Sequence, residues 1–481
     1  MNNDLDITNI KKGPLLFIMI LGAFITVLNQ TIMSVAIPEL ILSFHIAATT
    51  AQWLTTGYML VNGVFIPVTA YLMQRFTTRE LFISAMIAFL VGSVISSVAP
   101  GFEVLLIGRL VQAAGAGIIM PLLMNVVLAL FPEEKRGGAM GLIGVAIIFA
   151  PAIGPTYAGY MLDHYVWRSL FYVIIPFTIL VILLAIMYLK NVTERTFPRL
   201  DVAGMILSTI GFGTLLYGFS RAGAIGWSST EVIISFITGI LSLILFTISQ
   251  LRSSSPLLEL KAFKYNMFTL TTIINVAVTV VMYADMMLLP IYLQNMRHYT
   301  ALEAGELMLP GALLMGLLMP VAGRLFDRFG AKWLSVVGIA ITIVTTIGFI
   351  SLTSSTSYTY LLLMSTGRRV GMALFLMPIT TAGLNQLPVS LHAHGTAISN
   401  TVKQVSGAIG TALLVTILTN RAQAHAIKLS AEGVITDSTK IVQEASIAGM
   451  NDAYFAVIIF GIIGLVLSLF IEKTKQTEVA K

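Results

Sequence analysis

The chain has 481 residues, of which 57% are hydrophobic and only 10% are charged. This composition is too apolar for a water-soluble globular protein and indicates a polytopic membrane protein. Cysteine is absent, which excludes disulfides and thiolate metal sites, and the six histidines show no metal-ligand spacing. No nucleotide-binding loop or catalytic motif occurs, so we expect neither an enzyme nor an ATP-driven pump.

Apolar stretches divide the chain into membrane spans, because a hydrocarbon core about 30 Å thick needs about 20 helical residues. Reading at that length predicts fourteen spans, near residues 14–37, 52–73, 80–99, 103–129, 138–162, 169–189, 201–220, 231–251, 268–293, 302–326, 333–352, 358–385, 395–419 and 452–472. With a cytoplasmic N-terminus, most of the 28 lysines and arginines lie inside, as the positive-inside rule requires. The sequence predicts a multi-pass protein of the plasma membrane with both termini cytoplasmic and no nucleic-acid partner.

An internal sequence repeat relates the first half of the chain to the second. The pattern Pro-Val-x-x-x-Leu-x-x-Arg-Phe at Pro67 recurs at Pro320, and Met120-Pro121 recurs as Met377-Pro378. Two related helix bundles in one polypeptide are a common basis for alternating access in transporters.

The repeat also predicts the domains. Its offset of about 255 residues exceeds half the chain, so spans seven and eight are interpreted as an insertion. We expect an N-terminal six-helix bundle over 1–189, two inserted spans over 190–264, and a C-terminal six-helix bundle over 265–481. The polar segment near 420–451 is expected to be an extracellular loop with a short surface helix.

Several motifs together resemble the fourteen-span drug:proton antiporter branch of the major facilitator superfamily, the group that holds quaternary-ammonium and lincomycin exporters. The stretch Gly323 to Gly330 is similar to its cytoplasmic-loop motif, Leu106 to Gly117 to its fourth-span motif, and the glycines and prolines of span five to its antiporter motif. The resemblance covers nearly the whole chain. It implies an all-α major facilitator fold of two six-helix bundles plus two extra central spans.

The motifs carry conformational roles in that family. The resemblance implies that the loop motif latches neighbouring helices, through Gly323, Arg324, Asp327 and Arg328. In the first-half copy Gln74 stands at the aspartate position, so a latch based on a charged pair is not expected there. Span five combines close-packing glycines with helix-interrupting prolines, which suits a helix that bends during transport: Gly144, Pro151, Gly154, Pro155 and Gly159.

Proton coupling needs a carboxylate whose charged form is disfavoured by burial. Many relatives carry an aspartate in the first span, where this chain has Asn29. Asp285 in the ninth span is the leading candidate, and Glu306 in the tenth is the second. The alternative for Asp285 is a structural ion pair with Arg109, Arg368 or Arg369, because an unpaired charge inside a membrane is costly.

Arg109 lies deep in span four and is expected to tune a protonatable carboxylate or relay protons; the alternative is a static hydrogen bond to a backbone carbonyl. We expect a substrate cavity near the midplane between the bundles, with adaptable contacts from Asn29, Gln30, Asn62, Met282 and Tyr283.

The sequence therefore predicts a proton-coupled multidrug exporter for lipophilic, often cationic compounds, which works as a monomer, uses no cofactor and draws energy from the proton gradient. Its partners would be small-molecule drugs, protons and the lipid bilayer. Two alternatives remain: a flippase for a lipid or glycolipid precursor, and a membrane receptor or scaffold that transports nothing.

Overall fold

The computed structural model describes residues 11–46, 48–51, 53–193, 195–197, 200–253, 255–432 and 437–472. These ranges are almost entirely helical and contain no strand. Fourteen helices in them have 17 residues or more: α1 (Lys12–Phe44), α2 (Trp53–Arg75), α3 (Thr78–Ser97), α4 (Phe102–Leu130), α5 (Glu133–His164), α6 (Ser169–Tyr188), α7 (Val202–Ile225), α8 (Thr230–Arg252), α9 (Asn266–Ile291), α10 (Ala301–Phe329), α11 (Ala331–Ile347), α12 (Tyr358–Leu384), α13 (His392–Glu432) and α14 (Ser438–Ser468).

Each predicted span overlaps one of these helices, so the all-α membrane fold is confirmed. Twelve helices within the described ranges are long and apolar enough to cross a membrane. Helix α11 has only 17 residues, and α12 carries Arg368 and Arg369 near its middle, which lowers its hydropathy. The count of fourteen spans therefore stays a prediction.

Local sequence signals explain where several helices begin and end. Thr77 and Glu80 form a capping box at the start of α3, and Thr300 and Glu303 form the matching box at the start of α10. Gly330, with φ of 82°, separates α10 from α11 in a backbone conformation that other residues rarely adopt.

The chain forms two compact units that differ from the contiguous bundles expected at 1–189, 190–264 and 265–481. Unit 1 comprises residues within 1–132, 145–260 and 391–405, and unit 2 those within 133–144, 261–390 and 406–481. Helices α7 and α8, which we interpreted from the sequence as an insertion, belong to unit 1, where α7 packs on α2. Helices α5 and α13 each contribute to both units, because helices of 32 and 41 residues are about 48 and 60 Å long and meet different neighbours at their two ends.

The segment 420–451 differs from the loop that we expected. Helix α13 continues to Glu432 and α14 begins at Ser438, so most of the segment extends two long helices rather than forming a separate surface helix.

The two units repeat the same helix packing. In unit 1, α1 and α3 each pack on α4 and α6, and α2 packs on α4. In unit 2, α9 and α11 each pack on α12 and α14, and α10 packs on α12. The duplication read from the sequence is therefore present in three dimensions.

One helix crossing shows the repeat at atomic detail. A Cβ atom on Gly115 of α4 would lie 2.3 Å from the Ala85 carbonyl oxygen of α3. A Cβ atom on Gly371 of α12 would lie 2.6 Å from the Gly338 carbonyl oxygen of α11. Ala85 and Gly338 are 253 positions apart and the two glycines 256, so both crossings need glycine for the same reason.

Candidate functional site

Arg109 lies at the centre of a polar cluster in unit 1 and is fully buried. Its Nη1 donates to Oδ1 of Asn29 on α1 and, at 2.9 Å, to Oε1 of Gln112 on its own helix. Gln112 in turn donates to Oγ of Ser93 at 2.7 Å, and the guanidinium lies 4.2 Å from the centre of the Tyr58 ring. The bonding partners of Arg109 are thus neutral side chains, neither a carboxylate nor the backbone carbonyl that the sequence left open.

Asp285 lies at the centre of a charged cluster in unit 2 and is 3% exposed. Its Oδ2 accepts a 2.8 Å hydrogen bond from Nε of Arg369, and its Oδ1 lies 2.9 Å from Nη2 of Arg368. Both arginines are on α12 and both are buried. The ion-pair alternative that the sequence left open for Asp285 is the arrangement present here, with Arg368 and Arg369 and not Arg109.

Three further contacts hold the arginines in place. Arg369 also donates from Nη1 to the Met308 carbonyl of α10. Arg368 lies 5.2 Å from the centre of the Phe349 ring and 5.3 Å from that of Tyr454, and these two rings stack on each other. Sequence reasoning missed both aromatic residues, because nothing local marks a ring as an arginine partner.

The repeat relates the two clusters. Asn29 and Asp285 are 256 positions apart, and that offset also relates Gly115 to Gly371. Arg369 stands 260 positions after Arg109, about one helical turn beyond the equivalent position. An amide in unit 1 therefore occupies the place that a carboxylate occupies in unit 2.

The remaining predicted coupling and cavity residues are distributed differently. Glu306 is exposed about one turn into α10. Asn29 is buried at 2% exposure against Arg109 and has no free surface for a substrate. The other cavity candidates are half-buried, two in unit 1 and two in unit 2: Gln30, Asn62, Met282 and Tyr283.

In the loop motif of the second half, Asp327 contacts the start of α5. Asp327 accepts hydrogen bonds from the backbone N–H groups of Gly137 at 2.7 Å and Gly138 at 2.9 Å, near the start of α5. A carboxylate there also complements the helix dipole. Gly323 allows the approach, since a Cβ atom on it would lie 2.1 Å from the Gly137 carbonyl oxygen. Arg324 and Arg328 are exposed.

In the first half, Gln74 stands where Asp327 stands in the second and takes a histidine as partner. Its Nε2 position lies 2.6 Å from Nε2 of His394, near the start of α13. The Glu259 backbone N–H donates to the other ring nitrogen, Nδ1, at 3.2 Å. His394 is 256 positions after Gly138, a signal in the sequence that could have identified it.

Helix α5 carries the predicted antiporter motif without a break in its helical backbone. A Cβ atom on Gly154 would lie 2.3 Å from Oγ1 of Thr31, and one on Gly144 would lie 2.5 Å from the flexible end of Met319. A Cβ atom on Gly159 would have no neighbour within 4 Å. Pro151 is half-buried, and the side chain of Pro155 lies outside the described part of the chain.

Known proteins are similar to this chain in sequence and in fold. The family profile described as Major Facilitator Superfamily matches residues 19–411. The chain belongs to the major facilitator superfamily. The lincomycin resistance protein LmrB of Bacillus subtilis is 42% identical over 97% of this chain and 97% of its own, and the multidrug export protein EmrB of Escherichia coli is 29% identical over 85% and 81%.

A solved structure shows the same fold. The human organic anion transporter MFSD10 matches with a TM-score of 0.64 at 12% identity, over 95% of this chain and 99% of its own. The resemblance to the drug:proton antiporter branch that the motifs indicated is confirmed by the family and by the named relatives. The chain is accordingly a multi-pass membrane transporter protein of this superfamily.

Proposed function

We propose that the protein is a proton-coupled exporter that moves lipophilic compounds out of the cell by alternating access. The observation that carries the proposal is the buried cluster of Asp285, Arg368 and Arg369 inside a duplicated major facilitator fold. Relatives named for lincomycin resistance and multidrug export support drugs as the cargo. The positive-inside rule predicts that both termini are cytoplasmic.

The ion pair supplies a route to coupling. A buried carboxylate keeps its charge only while a cation compensates for its lost hydration. When movement of α9 against α12 separates Asp285 from the arginines, the carboxylate gains by binding a proton; when the pair forms again, the proton is released. One proton then accompanies each cycle of separation and pairing, and Asp285 is the group that carries it.

The ion pair of Asp285 also affects which charge the cargo can carry. The sequence led us to expect compounds that are often cationic. Asp285 is already paired with two arginines, which opposes direct capture of a cationic drug. The half-buried residues Gln30, Asn62, Met282 and Tyr283 are the proposed cargo contacts.

Transport in reconstituted vesicles tests the proposal. Ethidium uptake would be followed with and without an imposed pH gradient in the native protein, in Asp285→Asn and in the double variant Asp285→Asn/Arg369→Gln. The double variant is included because loss of the carboxylate alone leaves both buried arginines unpaired. We expect gradient-driven transport by the native protein and its loss in both variants, with dye binding retained.

The other outcomes are equally informative. Gradient-driven transport that persists in the variants would exclude Asp285 as the proton carrier and make Glu306 the next candidate. Absence of transport of both ethidium and a dye with a carboxylate by the native protein would contradict drug export; lipid movement in the same vesicles would then support the flippase alternative, and no movement of any of them would support a receptor or scaffold.

A further inference from the structure

Unit 1 contains a buried positive charge without a negative partner. Arg109 is fully buried, and its Nε and Nη2 atoms have no hydrogen-bond partner among the described residues. Its Nη1 is bound by the amide oxygens of Asn29 and Gln112, which carry no charge. Within the described part of unit 1, no aspartate or glutamate is buried.

Unit 2 shows how the same position is neutralised. There Asp285 stands at the repeat position of Asn29 and pairs with Arg368 and Arg369. Even this carboxylate is outnumbered, since two buried arginines share it. The described interior of each unit therefore carries an excess of positive charge.

We propose that Asn29 leaves Arg109 uncompensated, and that this buried charge makes the transporter prefer cargo with an anionic group, such as a carboxylate, over cationic cargo. The inference rests on the proposed export function and names its substrate class. The guanidinium need not touch the cargo, because charges interact over several ångströms in a protein interior. At an effective dielectric constant of about 20, a unit charge about 10 Å away changes an affinity by a factor on the order of ten.

The experiment compares two dyes that differ in one charge. Rhodamine 123 is a cationic methyl ester, and rhodamine 110 has the same ring system with a free carboxylate. Binding to the purified protein in a neutral detergent would be measured by fluorescence anisotropy. For the native protein we expect rhodamine 110 to bind more tightly, by a factor on the order of ten.

Three variants connect the preference to Arg109. Asn29→Asp and Gln112→Glu each place a carboxylate where an amide oxygen now accepts from Nη1, and they do so from two different helix positions. Either should abolish the preference for rhodamine 110, so one misfolded variant leaves the other as the test. Asn191→Asp is the matched control: it lies in the same unit beyond α6, accepts from the Arg79 backbone N–H, and should keep the native preference.

The outcomes separate this inference from the export function. Equal binding of the two dyes, tighter binding of rhodamine 123, or saturable binding of neither overturns the inference. An unchanged preference in both Asn29→Asp and Gln112→Glu also overturns it. Export itself is judged separately by gradient-driven transport of ethidium or of rhodamine 110, so a native protein that transports either dye but shows no preference for the carboxylate refutes only the inference.

Discussion

Asp285 pairs with two arginines, so a substitution at any of the three residues changes how many buried positive charges lack a partner. Arg368 and Arg369 are 0% and 6% exposed, so neither can recover its hydration if the carboxylate is lost. Breaking a buried pair by removing one partner usually costs about 3–5 kcal/mol, because the other charge stays buried without compensation. The cluster thus links stability to the proposed proton coupling at one residue.

The first prediction concerns stability. Asp285→Asn should lower the midpoint of thermal unfolding in detergent, since it leaves two buried positive charges uncompensated. Asp285→Asn/Arg369→Gln leaves one, the same excess as in the native protein, and should recover most of the loss. Fluorescence-detected thermal unfolding would measure both. A double variant as unstable as the single one would show that charge balance does not control stability here.

Long helices of this fold have different neighbours at their two ends. Helix α5 begins in unit 2, where Gly137 and Gly138 donate to Asp327, and continues in unit 1, where Gly154 lies against Thr31 of α1. Because α5 has residues in both units, it is suited to a role in conformational change. The glycines and prolines of its sequence indicated such a role, but they did not show which positions make close contacts.

The second prediction distinguishes two glycines of α5. Gly154→Ala places a methyl group 2.3 Å from Oγ1 of Thr31, so either the Thr31 side chain or the packing of α1 on α5 has to shift. Gly159→Ala meets nothing within 4 Å and should be tolerated. We expect transport to fall at least severalfold in Gly154→Ala and to stay near native in Gly159→Ala, measured in vesicles at equal protein content. Equal activities would remove Gly154 from the conformational motif.

The third prediction concerns the contact between α10 and α5. Asp327→Ala removes the acceptor of two backbone N–H groups, and hydrogen bonds to a charged group are worth about 1.5–3 kcal/mol each. We expect a lower unfolding midpoint and slower transport. Lys135→Ala, an exposed change at the start of the same helix, is the control and should behave as native. A native-like Asp327→Ala would show that this contact does not latch the helices.

At the scale of the whole molecule, the two units repeat a helix arrangement while their polar interiors have diverged. Equivalent helices pack in the same pairs, and glycine crossings recur at offsets of 253 and 256. The charged positions do not follow this symmetry, because Asn29 replaces the carboxylate and Gln74 replaces the loop aspartate. Shared packing preserves the fold, and the diverged positions give the two units different electrostatics.

The fourth prediction tests the membrane topology. The chain has no cysteine, so single-cysteine variants need no altered background. In intact cells, a membrane-impermeant maleimide should label Ser354→Cys between α11 and α12, which the positive-inside rule places outside. It should not label Thr196→Cys between α6 and α7 until the cells are opened. Both positions are exposed, so burial does not prevent labelling. The reverse pattern would invert the predicted topology.

The sequence by itself determined the membrane class, the places of the long helices, the internal repeat and the family, since apolar length and local motifs are written along the chain. It also marked Arg109, Asp285, Arg368 and Arg369 as costly charges inside spans. These properties follow from the composition of short segments, whatever their neighbours are.

Only the tertiary structure decided which partner each charge takes. Asp285 is 84 residues from Arg369, Asn29 is 80 from Arg109, and Gln74 is 320 from His394. Such pairs depend on how each helix is rotated and shifted along its axis. In unit 2, for example, Arg369 lies about one helical turn beyond the position that the repeat assigns to Arg109. Segment composition does not encode that rotation and shift, because packing between distant helices sets them.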